Sequence, residues 1–328
     1  MLWMMQLLVI LLGAISQGVG CWREDRQAQL GQFVDVNGRQ LHLVVRGHAD
    51  PMQPTIVLDH SLGGVEGYFL IDQLSRLSRT CISDRAGYGW SQRSAKRRTS
   101  AQIVQELDTA LTEAGLEPPY LLIGDSFGSY NMRLYAHTFP DKVCGLILTD
   151  GLHESGMLNM SPLLRGLQAF FISGFLVAIL GSTIGAIRLL RWLGLFYWLK
   201  PELRQFPQWA FDAATRSFCR PQHWWTMTQE LFWMDQSGQE LADANDLGDL
   251  PIVDIPAASF FIPAWWTRLI PLGRANALRD QMHEKLMQLS TNCKQIAAPE
   301  SGHFVWIDQP AVMLEAVKWV LEQQNQRD

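Results

Sequence analysis

Two polar residues far apart in the chain, Ser126 and His303, stand in settings that suit nucleophilic chemistry. Ser126 is the middle of Gly124-Asp125-Ser126-Phe127-Gly128, with an apolar run at 120–123 before it and a helix-patterned stretch from about 129 to 138 after it. Strand, sharp turn and helix in that order make a nucleophile elbow: a glycine two residues to either side leaves room for the strained backbone that such a reversal needs. The serine is then expected at the end of its strand, with the Phe127 amide and the positive end of a helix aimed at any negative charge that develops. His303 lies in Ser301-Gly302-His303, immediately after the last predicted strand at 294–298. A base in that loop can reach a serine at the carboxyl edge of a parallel sheet.

Such a pair needs a carboxylate to hold the imidazole in the right tautomer and to stabilise its cation. The usual place, just past the strand that ends near Ala258, offers Ser259, Phe260, Phe261 and Ile262, and no acid follows before Asp280. Asp150 ends the strand after the elbow helix, and carboxyl ends of strands are where catalytic groups collect in open α/β sheets. Asp150 is the expected acid. Asp280, Glu154 and Asp254 are the alternatives, with Asp254 expected in mid-strand and pointing away or into the sheet, and a dyad supported by water is a further one.

The elements that must position these groups surround them. Residues 32–45 alternate as a hairpin does, with Asn37-Gly38 as its two-residue turn. Apolar runs at 54–59 and 143–149 read as strands buried on both faces. The glycine-rich loop His60-Ser61-Leu62-Gly63-Gly64 after the first of these brings backbone amides close to a ligand. Predicted helices at 68–78, 99–114, 274–290 and 311–323 alternate with further strands at 80–84 and 250–259, with a loop at 260–273. That order points to an α/β fold with a mostly parallel central sheet covered by helices on both faces. The loop from Asp84 to Ser91 is read as structural, and Lys96, Arg97 and Arg98 as a solvated basic face.

Composition narrows the function. The chain has 328 residues, is 48% hydrophobic and carries a net charge of −5, so it has a large core and no basic stripe for a nucleic acid. Cys81, Cys144, Cys219 and Cys293 show no metal-ligand spacing, and no metal or other cofactor is expected.

Residues 1–20 carry no charge and are long enough to cross a hydrocarbon core of ~30 Å. A basic leading segment and a clean cleavage site are missing, so 1–21 reads as a signal anchor in preference to a cleaved signal peptide. Core segments at 30–150 and 250–328 flank a helical, aromatic-rich cap at 151–249. Inside it, residues 166–187 are again uncharged. They read as a buried cap helix over the site, because a true span would divide one sheet between the two sides of a membrane. A shallow membrane-dipping cap, with Arg188 and Arg191 at the interface, is the other reading.

From about Gly31 onward the chain resembles the α/β-hydrolase superfamily, in particular its membrane-anchored or exported generic hydrolases. The resemblance rests on DRAGYGWS at 84–91, EPPYLLIGDSFG at 117–128, TDGLHES at 149–155, PESGHFVWIDQP at 299–310 and the apolar N-terminus. It implies the α/β-hydrolase fold, Ser126 as nucleophile, His303 as base and the amides of Phe127 and Leu62 as oxyanion hole. In some relatives the acid follows the strand after the elbow helix, which again falls on Asp150. The implied activity is cleavage of carboxylic esters, small or lipid-like, by a protein held at a membrane or exported, with its catalytic part outside the cytoplasm. The chain departs from the pattern at Asp125, where a histidine usually precedes the nucleophile, at Ser61, where glycine usually follows His60, and in the missing late acid. A non-catalytic ligand-binding protein on the same scaffold is the competing function.

Overall fold

The apolar runs are strands, and their side chains divide between two cores. The computed structural model describes residues 2–26, 30–64, 67–199, 201–259 and 272–326. Its strands are β1 (Gln32–Asp35), β2 (Gln40–Arg46), β3 (Thr55–Asp59), β4 (Thr80–Ser83), β5 (Tyr120–Asp125), β6 (Val143–Thr149), β7 (Ile252–Ile255) and β8 (Cys293–Gln295). They form one eight-stranded sheet in the order β1-β2-β4-β3-β5-β6-β7-β8. The β1–β2 and β2–β4 pairs are antiparallel, and every pairing from β4 through β3 to β8 is parallel.

The helices are α1 (Leu2–Asp25), α2 (Gly67–Leu74), α3 (Ser100–Glu113), α4 (Phe127–Thr138), α5 (Glu154–Leu158), α6 (Pro162–Thr183), α7 (Ala186–Trp192), α8 (Phe196–Leu199), α9 (Gln208–Phe218), α10 (Pro221–Phe232), α11 (Met234–Glu240), α12 (Leu272–Leu286), α13 (Val305–Asp308) and α14 (Pro310–Asn325). Successive side chains of a strand point to opposite faces. Thus Val57 and Leu122 join Ile103, Leu107 and Tyr130 of α3 and α4 in one core. Ile56, Leu58, Leu121 and Ile123 join Leu70 and Leu74 of α2 and Val317 of α14 in the other. Because both faces are covered, β3 and β5 have no exposed residue and read as unbroken apolar runs.

Local signals hold where the chemistry is local. Asn37 and Gly38 take φ of 55° and 77°, and Val36 and Arg39 exchange both backbone hydrogen bonds around them. That is the turn whose twist suits a hairpin. β7 is shorter than the run at 250–259, since Pro256 has no amide to donate to a ladder. The final ladder covers Cys293–Gln295, with an isolated bridge from Ala298 to Ala257 beyond it. Of the expected loop at 260–273, residues 260–271 lie outside the described residues. All five cysteines are free thiols.

Two expectations are corrected. Arg98 belongs to no solvated face: it is 1% exposed, and its Nη1 donates to Glu106 at 2.7 Å. A run of three basic residues shows charge but not the carboxylate that waits on another element. Helix α6, which carries the uncharged run, is no buried cap helix either, for only Leu164 and Ser182 are buried in it. One side packs on α10, where Gln168 donates to the Leu231 carbonyl at 3.1 Å, while Phe170, Val177 and Leu180 are each about two-thirds exposed. An uncharged run shows that a helix shuns water, and does not show which apolar surroundings it finds.

The inserted helices are pinned to the sheet by buried charge. Arg85, in the loop after β4, donates to Asp59 at 2.6 Å and to both carboxylate oxygens of Glu230 on α10 at 2.9 Å, and the Tyr88 hydroxyl donates to Glu230 at 2.7 Å. The loop from Asp84 is likewise held by Asp84, which accepts from Tyr68 at 2.5 Å and the Trp90 amide at 3.0 Å and pairs with His42 at 2.9 Å. Removing one partner of a buried ion pair strands the other charge. Glu230→Ala is therefore expected to lower stability by about 3 kcal/mol, read as a shifted unfolding midpoint by tryptophan fluorescence.

Candidate active site

The glycines of the elbow are dictated by backbone contacts. A Cβ on Gly124 would sit 2.5 Å from the Gly128 carbonyl oxygen, and one on Gly128 would sit 2.4 Å from that of Asp59 and 2.7 Å from that of His60. No side chain fits at either place, so β5 can turn into α4 tightly against the end of β3. Ser126 takes φ 50° and ψ −113°, a conformation L-residues rarely hold, and its amide donates to the Thr149 carbonyl at 2.9 Å. Strain of this kind persists only where the surroundings enforce it, and it gathers at functional sites. Phe127 opens α4, so its amide is among those with no partner inside the helix, and Leu62 is half-buried just beyond β3.

Asp150 is the second strained residue, with φ 39° at the end of β6. Its amide donates to the Ile255 carbonyl at 2.9 Å, which ties it to β7, and its carboxyl group is 2% exposed. His303 Nδ1 lies 2.5 Å from Asp150 Oδ2. Asp125 and Thr149 are partners in the parallel ladder of β5 and β6. Asp150, the residue after Thr149, therefore ends its strand about one strand spacing, ~4.8 Å, from the strand that leads into the elbow. Burial by itself would favour the protonated acid at Asp150, yet hydrogen bonds from His283 and His303 outweigh it and hold the carboxyl well below the usual range.

The loop carrying His303 is fixed from below by a residue the sequence did not single out. Asp308 of α13 accepts from the Gly302 amide at 2.9 Å, and the Ala258 amide donates to the Ser301 carbonyl at 3.0 Å. Burial raises the pKa of Asp308, partly offset by the bonds from Gly302 and Ser301.

The alternative acids go elsewhere. Glu154 accepts from Arg133 at 2.5 Å and from Asn245 at 2.8 Å. Asp280 is exposed and accepts from Arg279 at 2.9 Å. Asp254 is fully buried in β7 and lies 2.7 Å from His283 Nδ1. His283 and Arg279, which both approach Asp150, also escaped the sequence reading, because residues four apart on a helix carry no sign of what they face. Among the described residues no group of three or more His, Cys, Asp or Glu is arranged to hold a metal ion. A cavity of about 330 Å³ lies between α1 and α9, lined by Glu24, Trp90, Arg191 and Arg216, and none of Ser126, Asp150 and His303 borders it.

A mostly parallel sheet with a strained serine turn after β5 and a histidine loop after β8 has the architecture of an α/β hydrolase. A family model described as alpha/beta hydrolase fold matches residues 54–183. The crystal structure of Cfl2 wild-type from Burkholderia cenocepacia is similar with a TM-score of 0.65 at 21% identity, over 88% of this chain and 95% of that one. Among curated proteins, the uncharacterized protein YbdG of Bacillus subtilis (strain 168) is 27% identical over 150 residues, 44% of each chain. A 1-acylglycerol-3-phosphate O-acyltransferase of Arabidopsis thaliana is 24% identical over 299 residues, 84% of this chain and 69% of that one. The chain thus spans less than half the length of YbdG. It has the α/β-hydrolase fold.

The elbow makes a direct prediction. Gly128→Ala must push the turn away from the Asp59 carbonyl, and a displacement near 1 Å at a reacting group costs about 10²-fold in rate. Modification of Ser126 by a fluorophosphonate should slow by about that factor, with the fold retained by circular dichroism.

Proposed function

We propose that this protein is a serine hydrolase that cleaves carboxylic esters through an acyl-enzyme. The observation that carries the reading is the Asp150–His303 hydrogen bond at the strand edge beside the strained Ser126. Ser126 Oγ attacks the ester carbonyl as His303 takes its proton, and Asp150 stabilises the imidazolium. The amides of Phe127 and Leu62 receive the oxyanion. His303 then gives the proton to the departing alkoxide. Water, deprotonated by His303, attacks the acyl-enzyme and releases the carboxylic acid and Ser126. Serine at the elbow speaks against chemistry that needs an aspartate nucleophile there.

A second reading concerns the acyl acceptor. The Arabidopsis relative with 84% coverage of this chain is named as an acyltransferase. Deacylation by a lipid alcohol in place of water would convert the same acyl-enzyme into a new ester, and the ratio of new ester to free acid measures it.

The reading extends to a membrane-held protein. Residues 3–12 of α1 are exposed, while Gln17 donates to the Cys219 carbonyl at 2.6 Å and Glu24 and Asp25 pair with Arg188, Arg216 and Arg220 of the inserted helices. The free half of α1 therefore leaves the body beside the C-terminal end of α6, where Gly13 packs on Ile184 and Gly185, and Trp192 and Trp198 of the inserted helices are each about four-fifths exposed. A projecting apolar helix with an apolar collar around its root suits a bilayer and a lipid-like ester.

Ser126→Ala is expected to abolish ester hydrolysis, a fall of about 10⁶-fold, and to abolish labelling by a fluorophosphonate. Folded wild-type protein that takes no label would support the non-catalytic binder. The charged triple variant Phe170→Asp, Val177→Asp, Leu180→Asp should keep hydrolysis of a soluble short-chain aryl ester. Its hydrolysis of long-chain esters in vesicles should fall at least about tenfold, because even one such charge opposes insertion by up to ~2.5–3.5 kcal/mol. Equal rates on vesicles would remove the membrane from the reading.

A further inference from the structure

The acid of the proposed triad does not stand alone. Asp150 uses its two oxygens separately: Oδ2 faces His303, while Oδ1 lies 3.4 Å from His283 Nε2, 3.7 Å from Arg279 Nε and 3.3 Å from the Ala257 amide, which donates to it. Behind His283, its Nδ1 meets Asp254 Oδ1 at 2.7 Å, and Asp254 Oδ2 accepts from Gln295 at 2.9 Å. Asp150, Asp254 and His283 are all buried. Arg279 and His283 are four apart on α12, so both reach the same carboxylate from one helix face.

We propose that His283 and Asp254 are positioning residues for Asp150, forming a chain Asp254–His283–Asp150–His303 that aims the carboxylate and lowers the pH at which His303 becomes a free base. This rests on the reading of Ser126, His303 and Asp150 as a triad. His283 touches no reacting atom and acts only through Asp150.

The physical argument is one of charge. Two buried carboxylates cannot stay ionised around a neutral ring without large cost, whereas one imidazolium between them satisfies both. Burial by itself would lower the pKa of His283, but the bonds to Asp150 and Asp254 outweigh it and raise the value to about 9. Its charge therefore persists through neutral pH and is lost as pH rises through about 9. That cation, with Arg279, draws on the field of Asp150 and leaves less of it for the imidazolium of His303. A weaker partner means that His303 gives up its proton at lower pH.

Other charged groups near His283 are accounted for. From α5, His153 and Glu154 turn to Arg133 and Asn245. From β8, Lys294 pairs with Glu315. On α12 itself, Asp280 pairs with Arg279, and Lys285 donates to Gln288. Among the described residues, only Asp150 and Asp254 are in contact with the ring as acids.

The test reads titration and needs no turnover. Imidazole signals of the full-length protein in detergent are followed by NMR from pH 5 to 10 in wild type, His283→Gln and the near-isosteric Asp254→Asn. Removing the cation should raise the His303 midpoint by about one unit. Asp254→Asn should lower the midpoint of His283 by at least about one unit. Should His283→Gln fail to fold, Asp254→Asn and the wild-type titration of His283 decide the matter alone. Unchanged midpoints would overturn the proposal and make the chain a packing feature. Fluorophosphonate labelling of Ser126, run in parallel, reports on the nucleophile separately, so failure of the relay and failure of the hydrolase reading give different results.

Discussion

Three stretches of backbone meet within van der Waals contact at the end of the sheet, and the rest of the site depends on that meeting. The end of β3 presses its carbonyl groups against Gly128, and the first turn of α4 presses on Gly124, so neither glycine has room for a single carbon more. This crowding holds Ser126 in its strained conformation and points it off the sheet. A looser junction would let the turn relax into an ordinary one. The same junction sets the distance between β5 and the residues after β6 and β8, on which any proton transfer must rely.

Buried charge supplies the second layer of constraint. Arg85, Arg98 and Arg133 are each buried and each paired with carboxylates: Asp59 and Glu230, Glu106 on the adjoining helix α3, and Glu154. Such pairs add modest net stability but penalise any arrangement that separates them. Those of Arg85 and Arg133 fix how the helices between β6 and β7 sit over the edge of the sheet. Asp150 continues the theme, with its carboxylate shared between two imidazoles and an arginine.

How much of this was legible follows from the range of each interaction. The hairpin at Asn37-Gly38, the elbow around Ser126 and the buried runs of β3, β5 and β6 are local, and their residues announce them. Asp150 could be chosen because strand order is a topological matter that alternation of elements reveals. Asp254 was expected in mid-strand, pointing away or into the sheet, and it lies buried in β7; its parity could not show the histidine on α12 that it meets. Arg98 and α6 were misjudged for the same reason. Their neighbours come from residues 106 and 221–232, and no pattern near either stretch names them.

By itself, then, the amino-acid sequence determined the class of fold, the serine turn, the histidine loop and the two uncharged apolar runs, because these follow from short-range sterics and from the period of apolar residues. Only the tertiary structure decided which carboxylate meets His303, that His283 and Asp254 stand behind it, and that α6 shows its apolar side to the surroundings. Those outcomes depend on contacts between residues 29 to 153 apart in the chain, and a contact of that range exists only once the sheet has assembled.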